Sequence, residues 1–462
     1  MARQKRYMQI VLTAVLVGVL LVACGPSAPA TQPPAEATQP PAEAQSPAAV
    51  ATTAPAEAPK PESLTIAGVA GNEASGLKAI IPLWEKQEGV KINFVEFPYP
   101  TLYEKIVTTM EAGASTFDLM MVDDPWMPKL GSEAWFLPLD ETFGYQRDPD
   151  IFPIAYDLGT WPPPRGPIPP GEEGKAPHLY AVTLLGNVEM FAYRSDLVSK
   201  PETWDDVLAN AEKVHDPSKQ FYGYALRAAS GDPAGTEFYP IMASYGGRVF
   251  DDQWNVVADS PECLQALQVM LKLAQFSPPG VANYDAAERS RELAAGRTAM
   301  AETWPAEAND FMENAGVSQV KGKVAYCPVP KGGSGKRAPL MGNWLLGISK
   351  FSKNREWAYK FLTWATSAEV QKEYARLGGV PFRQSVLTDP ELSAKFPYFA
   401  AMAESYAVPP EWIPRTPEWF AVVTIWGAHL NAAVAGTEKP EDALKQAAAE
   451  IKAHMQEAGY YK

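Results

Sequence analysis

Residues 117–126 read FDLMMVDDPW. The stretch Phe117–Asp123 is short and almost continuously apolar, the pattern of a strand covered on both faces. The residues before it alternate strand and helix signals. Leu64–Val69 (LTIAGV) reads as a strand, and Leu77, Ile80, Ile81 and Trp84 follow at helical spacing within 76–89. Pro82 must kink that helix or delay its start. Val90, Ile92 and Phe94 alternate as a second strand, and Leu102, Ile106, Val107 and Met110 line one helix face. The order β-α-β-α-β implies an α/β fold with a mostly parallel sheet. Ligands of such sheets lie just beyond the carboxyl ends of the strands. Asp123, Asp124 and Trp126 fall there and are candidate contacts; for the two aspartates a helix cap and a solvated turn are the alternative.

The N-terminus carries a different message. Arg3, Lys5 and Arg6 precede an apolar run from Met8 to Ala23, 16 residues long and interrupted only by Gln9 and Thr13. A spanning helix needs about 20 apolar residues, so residues 1–23 read as a secretory signal peptide. Leu21-Val-Ala-Cys24 resembles the lipobox of bacterial lipoproteins, in which the chain is cut before the cysteine and the thiol carries a lipid. Gly25 to Pro61 holds 10 prolines in 37 residues, with no aromatic residue and one valine. It cannot bury enough surface to fold. At about 3.1 Å per residue, a proline-stiffened chain of that length reaches roughly 100 Å. Segment 24–61 is thus expected to be a lipidated cysteine and a disordered tether.

The body, 62–462, exceeds what one core supports, so two domains are expected. A net charge of -14 argues against nucleic acid or an anionic membrane surface as partner. Export permits a disulfide between Cys263 and Cys327, but spacing cannot show one, and two buried thiols fit equally well.

Signatures of catalysis are sparse. The four histidines, His178, His215, His429 and His454, are not spaced like a zinc site. No G-x-S-x-G elbow is present. Gly332-Gly-Ser-Gly-Lys-Arg337 lacks the spacing of a phosphate loop and reads as a solvated turn. Neither a metal nor a cofactor is implied. Aromatic residues, by contrast, are plentiful: 13 Trp, 19 Tyr and 18 Phe. Flat apolar faces with a polar edge, rimmed by acids, amides and Arg, suit a sugar ring, although core packing is the default role for any single Trp.

Four blocks resemble the extracellular solute-binding proteins of ABC importers, in the branch that contains the maltose-binding protein. They are Glu189–Leu197 (EMFAYRSDL) with Pro201–Val207 (PETWDDV), Ala294–Trp304 (AAGRTAMAETW), Met341–Ser349 (MGNWLLGIS) with Trp357–Trp364 (WAYKFLTW), and Pro417–Val422 (PEWFAV). Within the first, Thr203–Asp206 also has the pattern of a helix cap.

The resemblance implies a type II periplasmic-binding-protein fold, with two α/β lobes, a hinge and a central ligand cleft. One lobe would take 62–180 and 324–378, the other 181–323 and 379–462. It nominates Trp304 and Trp419 as sugar-stacking rings, and Asn187 and Glu189 as polar contacts just past the first crossing. Asp123, Asp124 and Trp126 match the loop of the first lobe. Tyr239 precedes a Gly246-Gly247 turn, Gly342 and Trp344 resemble a small-then-aromatic wall, and Arg383 matches a contact to ligand hydroxyls. Two departures stand out: the proline-rich loop 161–170, and no evident charged ladder for long maltodextrins in the first helix. The implied protein is a monomeric, membrane-tethered, extracytoplasmic binder. It would pass a sugar or polyol to the permease subunits of an importer and perform no chemistry. A glycerol-phosphate-type ligand and a secreted carbohydrate-active enzyme are the competing readings.

Overall fold

The computed structural model describes residues 58–408 and 413–461. The expected signal peptide, Cys24 and nearly all of the expected tether lie outside these. No described helix is long and apolar enough to cross a membrane.

The opening alternation folds as a five-stranded sheet. Strand β1 (Ser63–Val69) pairs in parallel with β2 (Lys91–Phe97) from Ser63↔Lys91 to Val69↔Phe97, and in parallel with β3 (Leu119–Asp123). Leu119 to Val122 are fully buried, as expected of a strand covered on both faces. The helix Ser75–Glu88 runs through Pro82. Pro82 sits on the exposed face, where water can satisfy the carbonyl it leaves unpaired. Gly89 ends the helix at φ 65°, a conformation that a side chain would strain. Beyond the short hairpin of β4 (Thr160–Trp161) and β5 (His178–Leu179), β6 (Ala181–Leu185) completes the sheet. It pairs with β10 (Trp344–Ile348), which runs antiparallel to both β6 and β3. The strand order is β2-β1-β3-β10-β6.

A second, three-stranded antiparallel sheet has the order β8-β7-β9, from β7 (Met190–Arg194), β8 (Met300–Thr303) and β9 (Val324–Pro328). Along β7, Met190 and Ala192 pack into one core while Phe191 and Tyr193 pack into another. That is the period-two alternation of a strand between two apolar layers. The second core is closed by helices Trp204–Val214, Asp232–Ser244, Pro261–Gln275, Trp419–Val434 and Pro440–Glu457. The cap read at Thr203 is present: its hydroxyl accepts from Asp206 N at 3.1 Å, and the Asp206 carboxylate accepts from Thr203 N at 2.9 Å. A cap of this kind stabilises a helix by about 1 kcal/mol. Cys263 and Cys327 are buried free thiols.

Two segments pair elsewhere than the sequence placed them, and a third is shared. Ala181–Leu185, expected in the second lobe, is a strand of the first sheet. Val324–Pro328, expected in the first lobe, is an edge of the second sheet. Val380 to Tyr406, expected in the second lobe, touches both: Val380 and Phe382 join the first core, and the helix Phe399–Ala407 packs on β9 of the second sheet. Boundaries drawn from motif spacing missed these because strand pairing, not spacing, decides which core a segment joins.

Candidate functional site

A cavity of about 460 Å³ lies between the two cores. One wall is the carboxyl edge of the first sheet, which supplies Glu73 after β1, Tyr99 after β2, Asp123 at the end of β3, and Trp344 at the start of antiparallel β10. Trp344 and Asp123 are ladder partners, which fixes their adjacency. The facing wall is built on helix starts. Asp232 opens one helix, Asp285 caps the helix Ala286–Ala294, and Trp419 is the first residue of another. Trp304 and Glu307 extend from the end of β8.

Aromatic rings dominate the floor. Tyr99, Trp126 and Trp344 form a mutual cluster with centroids 4.9–6.0 Å apart. Trp304 is held by Gly342: a Cβ on that glycine would lie 2.8 Å from the indole. The small residue beside the aromatic wall therefore makes room for the opposite ring. Trp419 meets Tyr239 edge to face at 6.0 Å.

Polar groups frame the rings. Arg227 donates from Nε to Asp285 (2.8 Å) and from Nη2 to Asp232 (3.3 Å). Glu307 accepts from Arg289 and from Ser290, each at 2.8 Å. Asp123 accepts from the Tyr99 hydroxyl at 2.9 Å. Burial, then the neighbouring Asp124, pushes its carboxyl well above the usual range. Glu73 is pushed up to about 7, chiefly by burial. The Asn187 Oδ1 is buried with no hydrogen-bond partner, a cost that a ligand donor would remove.

Of the residues singled out from sequence, Asp123, Asn187, Trp304, Gly342, Trp344 and Trp419 line this cavity. Five do not. Asp124 is fully buried and paired with Arg415, whose Nη1 reaches its carboxylate at 3.1 Å and its carbonyl at 2.9 Å. The other carboxylate oxygen accepts from Asn343 N. This knot joins five residues that are distant in sequence, because Asn343 Oδ1 accepts in turn from Asn187 N and Tyr406 Oη, each at 2.9 Å. Trp126 lies behind Tyr99 and Trp344 rather than on the surface. Arg383 is bound to Asp148 (2.6 Å) and Asp150 (3.1 Å) and donates to Thr366 O, so its guanidinium is already committed. Tyr239 lines a separate cavity of about 430 Å³ with Arg165, Arg248 and Trp254.

Glu189 points into the second core. Its carboxylate lies within 4.8 Å of those of Glu237 and Glu302, and all three are buried. The spacing could admit a metal ion, but the Arg289 guanidinium already sits on Glu237 and supplies the cation. Burial pushes Glu189 and Glu302 well above the usual carboxylate range.

Sequence reading missed Glu73, Tyr99, Arg227, Asp232, Asp285 and Glu307. The rule that located Asp123 beyond β3 would have found Glu73 and Tyr99 if applied beyond β1 and β2. Asp285 carried a capping signal, since Asp285 and Glu288 form a capping box. Arg227 had no local signal.

A family model for bacterial extracellular solute-binding proteins matches residues 70–372. A probable amino-acid ABC transporter periplasmic-binding protein of Sinorhizobium fredii is 26% identical over 395 residues, 81% of this chain and 85% of the relative. Among solved structures, maltose-bound MalE3 of T. maritima superposes with a TM-score of 0.75 at 26% identity, over 84% of this chain and 99% of that one. An Agrobacterium vitis ABC transporter solute-binding protein with bound D-mannitol gives a TM-score of 0.72 at 28% identity, over 87% and 100%.

Proposed function

We propose that this chain, which belongs to the bacterial extracellular solute-binding protein family, captures a sugar or polyol in the cavity between its two cores and delivers it to an ABC importer. The observation that carries the reading is the cavity's make-up. Trp304, Trp344 and Trp419 offer flat apolar faces, while Asp123, Asn187 and Asp232 stand at the rim as hydrogen-bonding groups. Apolar plates with a few convergent polar groups are what a hydroxylated chain or ring needs. Relatives of similar fold hold maltose and D-mannitol. The glycerol-phosphate alternative fits less well, because Glu73, Asp123, Asp232, Asp285 and Glu307 line the cavity against the single cation Arg227; a phosphate would meet repulsion.

We read the body as two lobes. One holds the first sheet with 343–378, the other the second sheet with the chain from Ile413 onward. The chain crosses near 186–189 and near 340–343. The Asp124–Asn343–Arg415 knot ties these crossings and serves as the hinge's fixed point. A ligand touching both walls favours the arrangement in which the walls approach. Capture proceeds without turnover, so oligosaccharides incubated with the protein should be recovered unchanged. Lipidation at Cys24 would keep the monomer at the outer face of the membrane on its tether, and Cys24→Ser should abolish fatty-acid labelling.

A thermal-shift panel of sugars, polyols and glycerol phosphates tests the reading. A ligand at 100 times its Kd stabilises the fold by about 2.7 kcal/mol. Stabilisation by glycerol phosphates alone would reverse the ligand assignment, and turnover of an oligosaccharide would restore the enzyme reading.

A further inference from the structure

The charges lining the cavity do not balance. Three of its carboxylates have cationic partners in the protein: Asp232 and Asp285 share Arg227, and Glu307 is bound by Arg289. Asp285 also caps a helix, and Asp232 lies in the first turn of another, so both answer the positive ends of those helices. Glu73 and Asp123 remain. Neither makes an ion pair among the described residues, and both stand on the same wall, past the ends of β1 and β3. Tyr99 and Trp344, from the same wall, bring aromatic faces into the same space. The unpartnered Asn187 Oδ1 is another acceptor awaiting a donor.

We propose that the ligand is a polyhydroxylated molecule bearing an amine, an amino sugar or an amino polyol, whose ammonium group sits against Glu73 and Asp123. An ammonium brings three donors and no acceptor. It meets two carboxylates that lack a cation, and it gains from aromatic faces nearby. Burial pushes both carboxyls towards the protonated form; an ammonium pairs with their ionised form, which a neutral sugar cannot do. The proposal rests on the reading of the cavity as a carbohydrate site and narrows it.

Matched pairs test it: D-glucosamine against D-glucose, and 1-amino-1-deoxy-D-mannitol against D-mannitol, each titrated calorimetrically into the full chain. The amino member should bind at least about tenfold more tightly, the scale of one desolvated charge contact. In Glu73→Gln and Asp123→Asn the ratio within each pair should fall towards one. Should a variant fail to fold, the wild-type ratio decides alone. Equal or tighter binding of the neutral members would overturn this proposal and leave the carbohydrate reading standing. No binding by any member would remove both.

Discussion

Replacing Asp124 by alanine separates a ligand contact from a structural anchor. The carboxylate is fully buried, and its partner Arg415 is almost as deeply enclosed, with side-chain exposures of 0% and 2%. The substitution removes the acceptor for Arg415 Nη1 at 3.1 Å and for Asn343 N at 3.1 Å, leaving a guanidinium in the interior without its counter-charge. Breaking a buried pair from one side costs about 3–5 kcal/mol. With an unfolding entropy of about 2.1 cal/mol/K per residue, a body of about 400 residues that melts as one unit should lose about 4–6 °C. Calorimetric melting without ligand reads that shift directly. Changing Arg415 to methionine in the same chain should recover part of it, because the orphaned charge goes too. Ligand affinity at a temperature where the variant is folded should move far less than stability. An unchanged melting temperature with a large loss of affinity would refute the anchor and return Asp124 to the ligand.

Trp419→Ala should act on both properties: the ring lines the cavity yet is only 3% exposed and packs on Tyr239, so a core-like loss of about 3–5 kcal/mol accompanies weaker binding. Intact affinity in a destabilised variant would place the ring in the core alone. Gly342→Ala should drive the Trp304 ring out of position, since the new methyl would stand 2.8 Å from it; titration should show weaker binding, and unaltered affinity would show that the ring's placement is not used. Stability should fall as pH rises. Glu73, raised to about 7, and Glu189 and Glu302, also raised by burial, hold protons in the folded state that the unfolded chain has released. Their contribution is full below the unfolded carboxylate range and is lost as pH rises through the folded values, so melting at about pH 5.5 should be higher than at about pH 8. A melting temperature that climbs towards pH 8 would contradict the assignment.

The half of the fold visible in the sequence was the half governed by local periodicity. Leu119 to Val122 announced a doubly covered strand, and Leu102, Ile106 and Met110 announced the face of a helix; all are buried accordingly. What stayed hidden depends on long-range pairing. Nothing in Ala181–Leu185 tells it to pair with β10 more than 150 residues later rather than join the second sheet. The cleft shows the same division. Trp304 and Trp419 stood out as aromatic residues in characteristic blocks. Arg383 and Glu189 stood out equally, but Asp148 and Asp150, which bind Arg383, and Glu237 and Glu302, the buried carboxyls beside Glu189, are distant in sequence, and these neighbours place both side chains away from the cavity. A charged residue's role follows from what neutralises it, and that is a tertiary property.

The central claim is that a small hydroxylated ligand lies between the two cores. A crystal structure of residues 58–462 grown with the tightest binder from the sugar and polyol panel tests this most directly. The account places ligand density between Trp304, Trp344 and Trp419, with ligand donors on Asp123 and Asn187 Oδ1. Density confined to the other cavity, beside Arg248 and Trp254, would contradict it.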